Sequence, residues 1–166
     1  LFPKTDEDSI IHGLRNVCKN TGLQGRWQII NKSPLTIVDV AHNEAGIRYV
    51  MSQLNSMMSK IGSHPYSKPQ PPNPKLKTQN AKPQSKNSNK LHIVIGIVND
   101  KNPSSILSLL PVHAEYYFCK ADIPRALNAD ELQKNAAKFN LKGESYPSVA
   151  DAFKAAQNRA GDEDLI

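Results

Sequence analysis

An acid, an imidazole and an amide stand together in Asp39-Val40-Ala41-His42-Asn43, with Arg26 thirteen positions before the acid. A guanidinium can grip a phosphate through two parallel, charge-assisted hydrogen bonds. A carboxylate at the end of a strand can accept from ribose hydroxyls. An imidazole just ahead of a helix N-terminus is partly exposed and tends to stay neutral. Each residue also has an ordinary reading. Arg26 can be a surface cation, Asp39 can accept from nearby backbone N–H groups, and Asn43 can be a helix cap. On residue types alone, the cluster is an unspecified anion or nucleotide site.

Positioning such a cluster falls to the segments around it. Leu35-Thr36-Ile37-Val38 is short and β-branched, whereas Ile47, Val50, Met51, Leu54, Met57, Met58 and Ile61 keep the spacing of one helical face. The five residues therefore sit where a strand ends and a helix of about 44–61 begins. In an open α/β sheet that junction is the carboxyl edge, where ligands bind against helix N-termini. Residues 25–30 read as a preceding strand, and a turn at 31–34 is too short for a parallel crossover. The first strand is thus expected antiparallel, at one edge.

Further along, residues 91–98 are almost uniformly apolar, as a central strand covered on both faces requires. Asn99, Asp100, Lys101 and Asn102 follow at its carboxyl edge, with Pro103 at the first helical position after an Asn102 cap and Ile106, Leu107, Leu109 and Leu110 on the helix. The pattern repeats with a strand at 114–119, a loop at 120–127 containing Arg125, and a helix opened by Asn128 with Glu131 three residues on. A short strand at 144–146, a helix capped by Ser148 and running toward Gly161, and the first residues of another strand at 162–166 complete the chain. This alternation predicts an α/β fold: a three-layer α/β/α arrangement, Rossmann-like, with a mostly parallel sheet and an antiparallel edge strand. Residues 1–24 read as an entry helix or linker, with acids in its first turn, and 25–166 as the domain. Starting at Leu1, without an initiator Met, the chain reads as a piece of something longer.

Composition narrows the function classes. Of 166 residues, 21 are basic and 15 acidic, giving +6. Residues 62–90 hold six of the twelve prolines, six lysines and no acid, and without those lysines the rest of the chain is neutral. A basic low-complexity insertion with a single aromatic, Tyr66, is a solvated spacer rather than a nucleic-acid-binding face. Cys18 and Cys119 lack zinc spacing and read as free thiols, Cys119 in the core, and no metal-ligand set is expected. No apolar run has the roughly 18 residues of a membrane span and no signal pattern opens the chain, so neither nucleic acid nor membrane is expected as a partner and a cytoplasmic location is. The G-x-G-x-x-G, G-x-x-x-x-G-K-[ST] and G-x-S-x-G patterns do not occur. Any nucleotide must be held partly by something else.

The ordered series GRWQII, DVAHN after a strand, GIVNDK, and KADIPRAL before NADEL resembles the C-terminal domain of folylpolyglutamate synthase and its dihydrofolate synthase relatives, within the Mur ligase superfamily. Apart from the insertion, the similarity covers residues 9–166. Gln28, where cell-wall Mur ligases usually have Glu, fits the folate branch. The resemblance implies an ATP-dependent amide ligase: ATP phosphorylates a carboxylate of dihydropteroate or a folate, and the amine of L-glutamate attacks the acyl phosphate. It further implies that ATP binds between an N-terminal P-loop domain, which holds Mg2+, and a domain of this type. By motif, Arg26 would meet the ATP phosphates, Asp39 the ribose, and His42 the incoming glutamate. Asn43, Asn99, Asp100, Lys101 and Arg125 match family-like loops with no role carried over. The family's last strand would begin just after Ile166. A monomer, inactive without the P-loop domain, is expected, and the alternatives are a non-catalytic nucleotide-binding or interaction module of this fold or a cell-wall Mur ligase domain.

Overall fold

The structure is a computed structural model and describes residues 6–60, 89–99 and 102–166. The 62–90 insertion lies outside the described residues but for its last two positions, and Asp100 and Lys101 lie outside them as well.

Two short helices come first, α1 (Glu7–Arg15) and α2 (Val17–Thr21). Asp6 caps α1 by accepting from the Ser9 amide, and Gly22 ends α2 in the left-handed conformation. The single entry helix expected here is broken at Asn16. Neither piece buries a residue, so no tertiary packing offsets the weak helix propensity around Asn16.

Strands β1 (Gln28–Lys32) and β2 (Leu35–Val38) form the expected antiparallel hairpin, with a cis Ser33–Pro34 peptide in its two-residue turn. The turn is shorter than predicted because Asn31 and Lys32 pair with Thr36 and Leu35. The first strand also starts later than predicted. Gly25 and Trp27 have φ of 68° and 47°, values that no strand residue adopts.

Helix α3 (Glu44–Lys60) follows, then β3 (His92–Ile95), α4 (Pro103–Leu107), β4 (Glu115–Cys119), α5 (Ala129–Ala137), β5 (Lys142–Tyr146) and α6 (Val149–Arg159). The predicted caps form: Asn102 accepts from the Ser104 amide, Asn128 from Asp130 and Glu131, and Ser148 from Asp151. Helix α4 ends at Leu107, earlier than expected, and Leu110 is buried from the turn that follows. Strands β3, β4 and β5 are parallel and in that order. Along β4, Tyr116 and Phe118 enter the core under α3, α4 and α5, while Tyr117 and Cys119 face the smaller core under α6. Two faces covered by helices make three layers, and explain why β4 is apolar without alternation.

The strands do not make one continuous sheet. Among the described residues, the β1–β2 hairpin and the three-stranded sheet are joined through the Leu165–Ile166 segment, in which Leu165 bridges Leu35 and Leu91 in parallel. The Ile166 amide donates to the Leu35 carbonyl and its carbonyl accepts from the Ile37 amide, each at 2.9 Å. The Leu165 amide donates to the Lys90 carbonyl, and its own carbonyl accepts from His92 at 2.8 Å. Between β2 and β3 lies an apolar slot of about 730 Å3, walled by Ile37, Val94, Gly96 and Ile166 among others. The turn leading into it is fastened by Asp164, whose carboxylate accepts from the Lys90 and Gly161 amides at 2.8 and 2.7 Å. The buried His92 ring lies 3.2 Å from Asp164 Oδ2 and 3.0 Å from the Tyr117 hydroxyl.

Candidate functional site

The site is built by a backbone turn that few residues tolerate. Gly25 has φ 68°, and a Cβ there would lie 2.6 Å from Val40 Cγ1. Its carbonyl accepts from the Val40 amide at 2.8 Å, and its amide donates to the side chain of Gln28 at 2.9 Å. Trp27 is turned into the left-handed region as well, and its amide donates to Asp39 Oδ2 at 2.7 Å. The other oxygen, Asp39 Oδ1, accepts from the Ala41 amide at 2.8 Å. One half-buried carboxylate thus ties the strand entry to the strand–helix junction and leaves Arg26, exposed between two left-handed residues, beside Asp39.

The ordinary reading of Asp39 therefore holds: it is a backbone acceptor. Because each carboxylate oxygen has two lone-pair directions, this does not exhaust its accepting capacity. Asn43 likewise takes its ordinary role, accepting from the Gly46 amide at 2.8 Å as the cap of α3. His42 is exposed, with Nδ1 3.1 Å from the Val40 carbonyl. A carbonyl can only accept, so in this contact Nδ1 is the donor.

Arg26, Asp39, His42 and Asn43 line one open cavity of about 410 Å3, together with Trp27, Ala41, Gly46, Tyr49, Val50 and Gln53. Trp27, Asp39, Ala41 and His42 also border the slot between β2 and β3, so the two hollows adjoin. Asn99 and Arg125 are not among the lining residues of either. They meet each other instead, the Asn99 amide donating to the Arg125 carbonyl at 2.7 Å, while Leu127 donates to Ile97 and staples the loops after β3 and β4 together. Tyr49 and Gln53 escaped the sequence pattern because they lie on the outward face of α3. Their signal was the four-residue spacing that stacks them one turn apart. Burial pushes the Cys119 thiol up to about 11, in keeping with a core residue. Among the described residues, no three His, Cys, Asp or Glu side chains come together to hold a metal, and no helix is long and apolar enough to cross a membrane.

No family model matches the chain. It is 26 % identical over 156 residues to the dihydrofolate synthase/folylpolyglutamate synthase of Escherichia coli, a match covering 93 % of this chain and 29 % of that protein. A probable bifunctional folylpolyglutamate synthase/dihydropteroate synthase of Haloferax volcanii is 25 % identical over 165 residues, covering 99 % and 16 %. Escherichia coli FolC, solved with DHPP and ADP, superposes on 99 % of this chain with a TM-score of 0.66 at 27 % identity. Its relatives are folylpolyglutamate and dihydrofolate synthases. The folylpolyglutamate synthase/dihydrofolate synthase of Yersinia pestis, solved with Mn, AMPPNP and L-glutamate, shares the fold at 22 % identity and a TM-score of 0.66. This chain spans less than a third of the length of these relatives: 31 % of the Escherichia coli structure and 32 % of the Yersinia one. The α/β fold and the resemblance carried by the ordered motifs are both borne out by these synthases.

Proposed function

We propose that this chain is the C-terminal part of an ATP-dependent amide ligase that adds L-glutamate to dihydropteroate, to folates, or to both. The observation that carries this reading is the gathering of Arg26, Asp39 and His42 around one cavity at a strand–helix junction, in a chain whose relatives were solved with ADP, AMPPNP and glutamate. Arg26 is assigned to the ATP phosphates and Asp39, through its remaining lone pairs, to the ribose hydroxyls. His42 is assigned to the incoming glutamate, its ring held at the cavity by the contact between Nδ1 and the Val40 carbonyl.

The chemistry requires a second wall. ATP phosphorylates the acceptor carboxylate and leaves as ADP, the glutamate amine adds to the acyl carbon, and the tetrahedral intermediate expels phosphate. Closure of an N-terminal P-loop domain against this one would exclude water, which otherwise hydrolyses the acyl phosphate. Among the described residues no carboxylate cluster forms that could hold magnesium, and in this reading Mg2+ belongs with the P-loop domain. The 62–90 insertion is assigned as a spacer, and a cytoplasmic monomer is the working assembly.

The test is isotopic. Given dihydropteroate labelled with 18O in its carboxylate, ATP and glutamate, the complete enzyme should release phosphate carrying one label per turnover. Unlabelled phosphate would exclude the acyl phosphate, and turnover with a UDP-muramyl acceptor instead would assign the chain to the cell-wall branch.

A further inference from the structure

The turn that presents Arg26 has a left-handed residue on either side of it. Gly25 takes φ 68° freely because it has no Cβ, whereas Trp27, at φ 47°, is a bulky L-residue in a region that such side chains rarely occupy. Strain of this kind persists only where surrounding contacts hold it, and it gathers where a side chain must be aimed. Two of the contacts that hold this turn reach across to the strand–helix junction: the Gly25 carbonyl accepts from the Val40 amide, and the Trp27 amide donates to Asp39. A further one is local. Gln28 Oε1 accepts from the Gly25 amide at 2.9 Å, in a half-buried setting. Gln28 is the first residue of β1 and pairs with Val38, so its side chain reaches back three positions from a point the ladder has fixed. Arg26 and Trp27 are thereby spanned between anchored ends. Both of them line the cavity, and Gln28 does not.

We infer that Gln28 is a positioning residue for glutamate addition: through the Gly25 amide it holds the left-handed turn in the shape that keeps the Arg26 guanidinium at the cavity, without touching a ligand itself. This inference rests on the assignment of Arg26 to the phosphates. The Gly25 amide is a donor, so position 28 must supply an acceptor on a stem long enough to reach it. Glutamine and glutamate both do so, methionine matches the length but offers only a weakly accepting sulfur, and asparagine is one methylene short. Without that acceptor the turn loses its local tie and can relax toward conformations ordinary for Trp27, which carries Arg26 out of line. A displacement of about 1 Å in a group that orients a reaction can cost about a hundredfold in rate, so the loss of this tie is expected to cost at least about tenfold.

Glutamate-dependent ADP release by the complete enzyme tests this in a double-mutant cycle with Arg26→Ala. Gln28→Met should lower kcat/KM for ATP at least about tenfold. Gln28→Glu, which restores an acceptor, should stay close to wild type. In the Arg26→Ala background, Gln28→Met should change the rate by less than about twofold, because no guanidinium is left to misplace. A merely structural role gives a different pattern: a smaller folded fraction, or a disturbed Asp39 or His42, lowers the rate by the same factor in both backgrounds. Equal losses in both backgrounds, a Gln28→Met enzyme as active as wild type, or a Gln28→Glu enzyme as impaired as Gln28→Met would each overturn the inference and leave the phosphate assignment standing. A near wild-type rate for Arg26→Ala would overturn the phosphate assignment itself, and the role of Gln28 with it. Circular dichroism checks the fold of each variant, and should Gln28→Met not fold, Gln28→Asn takes its place in the cycle with the same expected losses.

Discussion

Gly25 offers a direct perturbation of the turn that carries Arg26. Its φ of 68° is one that an L-residue adopts at a cost of about 1–2 kcal/mol. Alanine there would also bring its Cβ to 2.6 Å from Val40 Cγ1, well inside contact distance. Overpacking of this kind costs about 1–3 kcal/mol, and the lower end applies because Val40 is half exposed and can swing outward. Gly25→Ala should therefore destabilise the protein by about 2–3 kcal/mol. Val40→Ala removes the clash and leaves the backbone cost, so Gly25→Ala/Val40→Ala should recover about 1 kcal/mol relative to the sum of the single changes. Gly22, with the same φ but nothing within 4 Å of its Cβ position and an unburied helix before it, should cost about 1 kcal/mol or less. Urea unfolding followed by far-ultraviolet circular dichroism measures all four variants. Simple additivity in the cycle, or a Gly25→Ala protein as stable as Gly22→Ala, would refute the packing around the turn.

Three further outcomes follow from the same contacts. Asp39→Ala leaves the Trp27 and Ala41 amides without their acceptor and should cost about 1–3 kcal/mol in urea unfolding; an unchanged midpoint would contradict the clamp. Burial raises the pKa of Asp164, but hydrogen bonds from Lys90, Gly161 and His92 outweigh it and hold the carboxyl below its ordinary value. A lowered folded-state pKa means that this stabilisation is complete above the unfolded value, about 3.9, and is lost as pH falls through the folded one. Amide exchange at Leu165 and Ile166 should therefore accelerate, relative to β4, on acidification below pH 4, and Asp164→Asn should flatten that dependence; a dependence unchanged by the substitution would rule Asp164 out as its source. The thiol of Cys119, pushed up to about 11 by burial, should resist alkylation at pH 8 while exposed Cys18 reacts; mass spectrometry showing equal labelling would contradict the core assignment.

Much of the architecture was legible because local chemistry and tertiary packing agree. Helix α3 could be read from its apolar spacing, the starts of α4, α5 and α6 from Asn102, Asn128 and Ser148, and the burial of β4 from Tyr116-Tyr117-Phe118-Cys119. The failures lie where packing decides alone. Nothing in the entry segment marks Asn16 as a break, since the apolar spacing continues through it. Leu110 is as well buried from a turn as from a helix, so the end of α4 could not be read from its leucines. The division of the sheet depends on Leu165 and Ile166, two residues whose bridges and hydrogen bonds join a hairpin to a three-stranded sheet. At the site, the DVAHN run predicted the junction and an Asp39 that accepts from a nearby amide, as it does from Ala41, but the left-handed Trp27 and its amide's bond to Asp39, twelve residues away, have no local signature. Arg125 sits at the expected sheet edge yet is held in a different loop pair, because Asn99 and Ile97 anchor its neighbourhood away from the cavity.

The central claim is that Arg26 faces the phosphates of ATP during glutamate addition. In the complete enzyme, glutamate-dependent ADP release measures it most directly. With saturating dihydropteroate or folate, Arg26→Ala should lower that rate by about a hundredfold or more, on the order of 3 kcal/mol of lost transition-state stabilisation, with the fold intact. A rate within a few-fold of wild type would contradict the account.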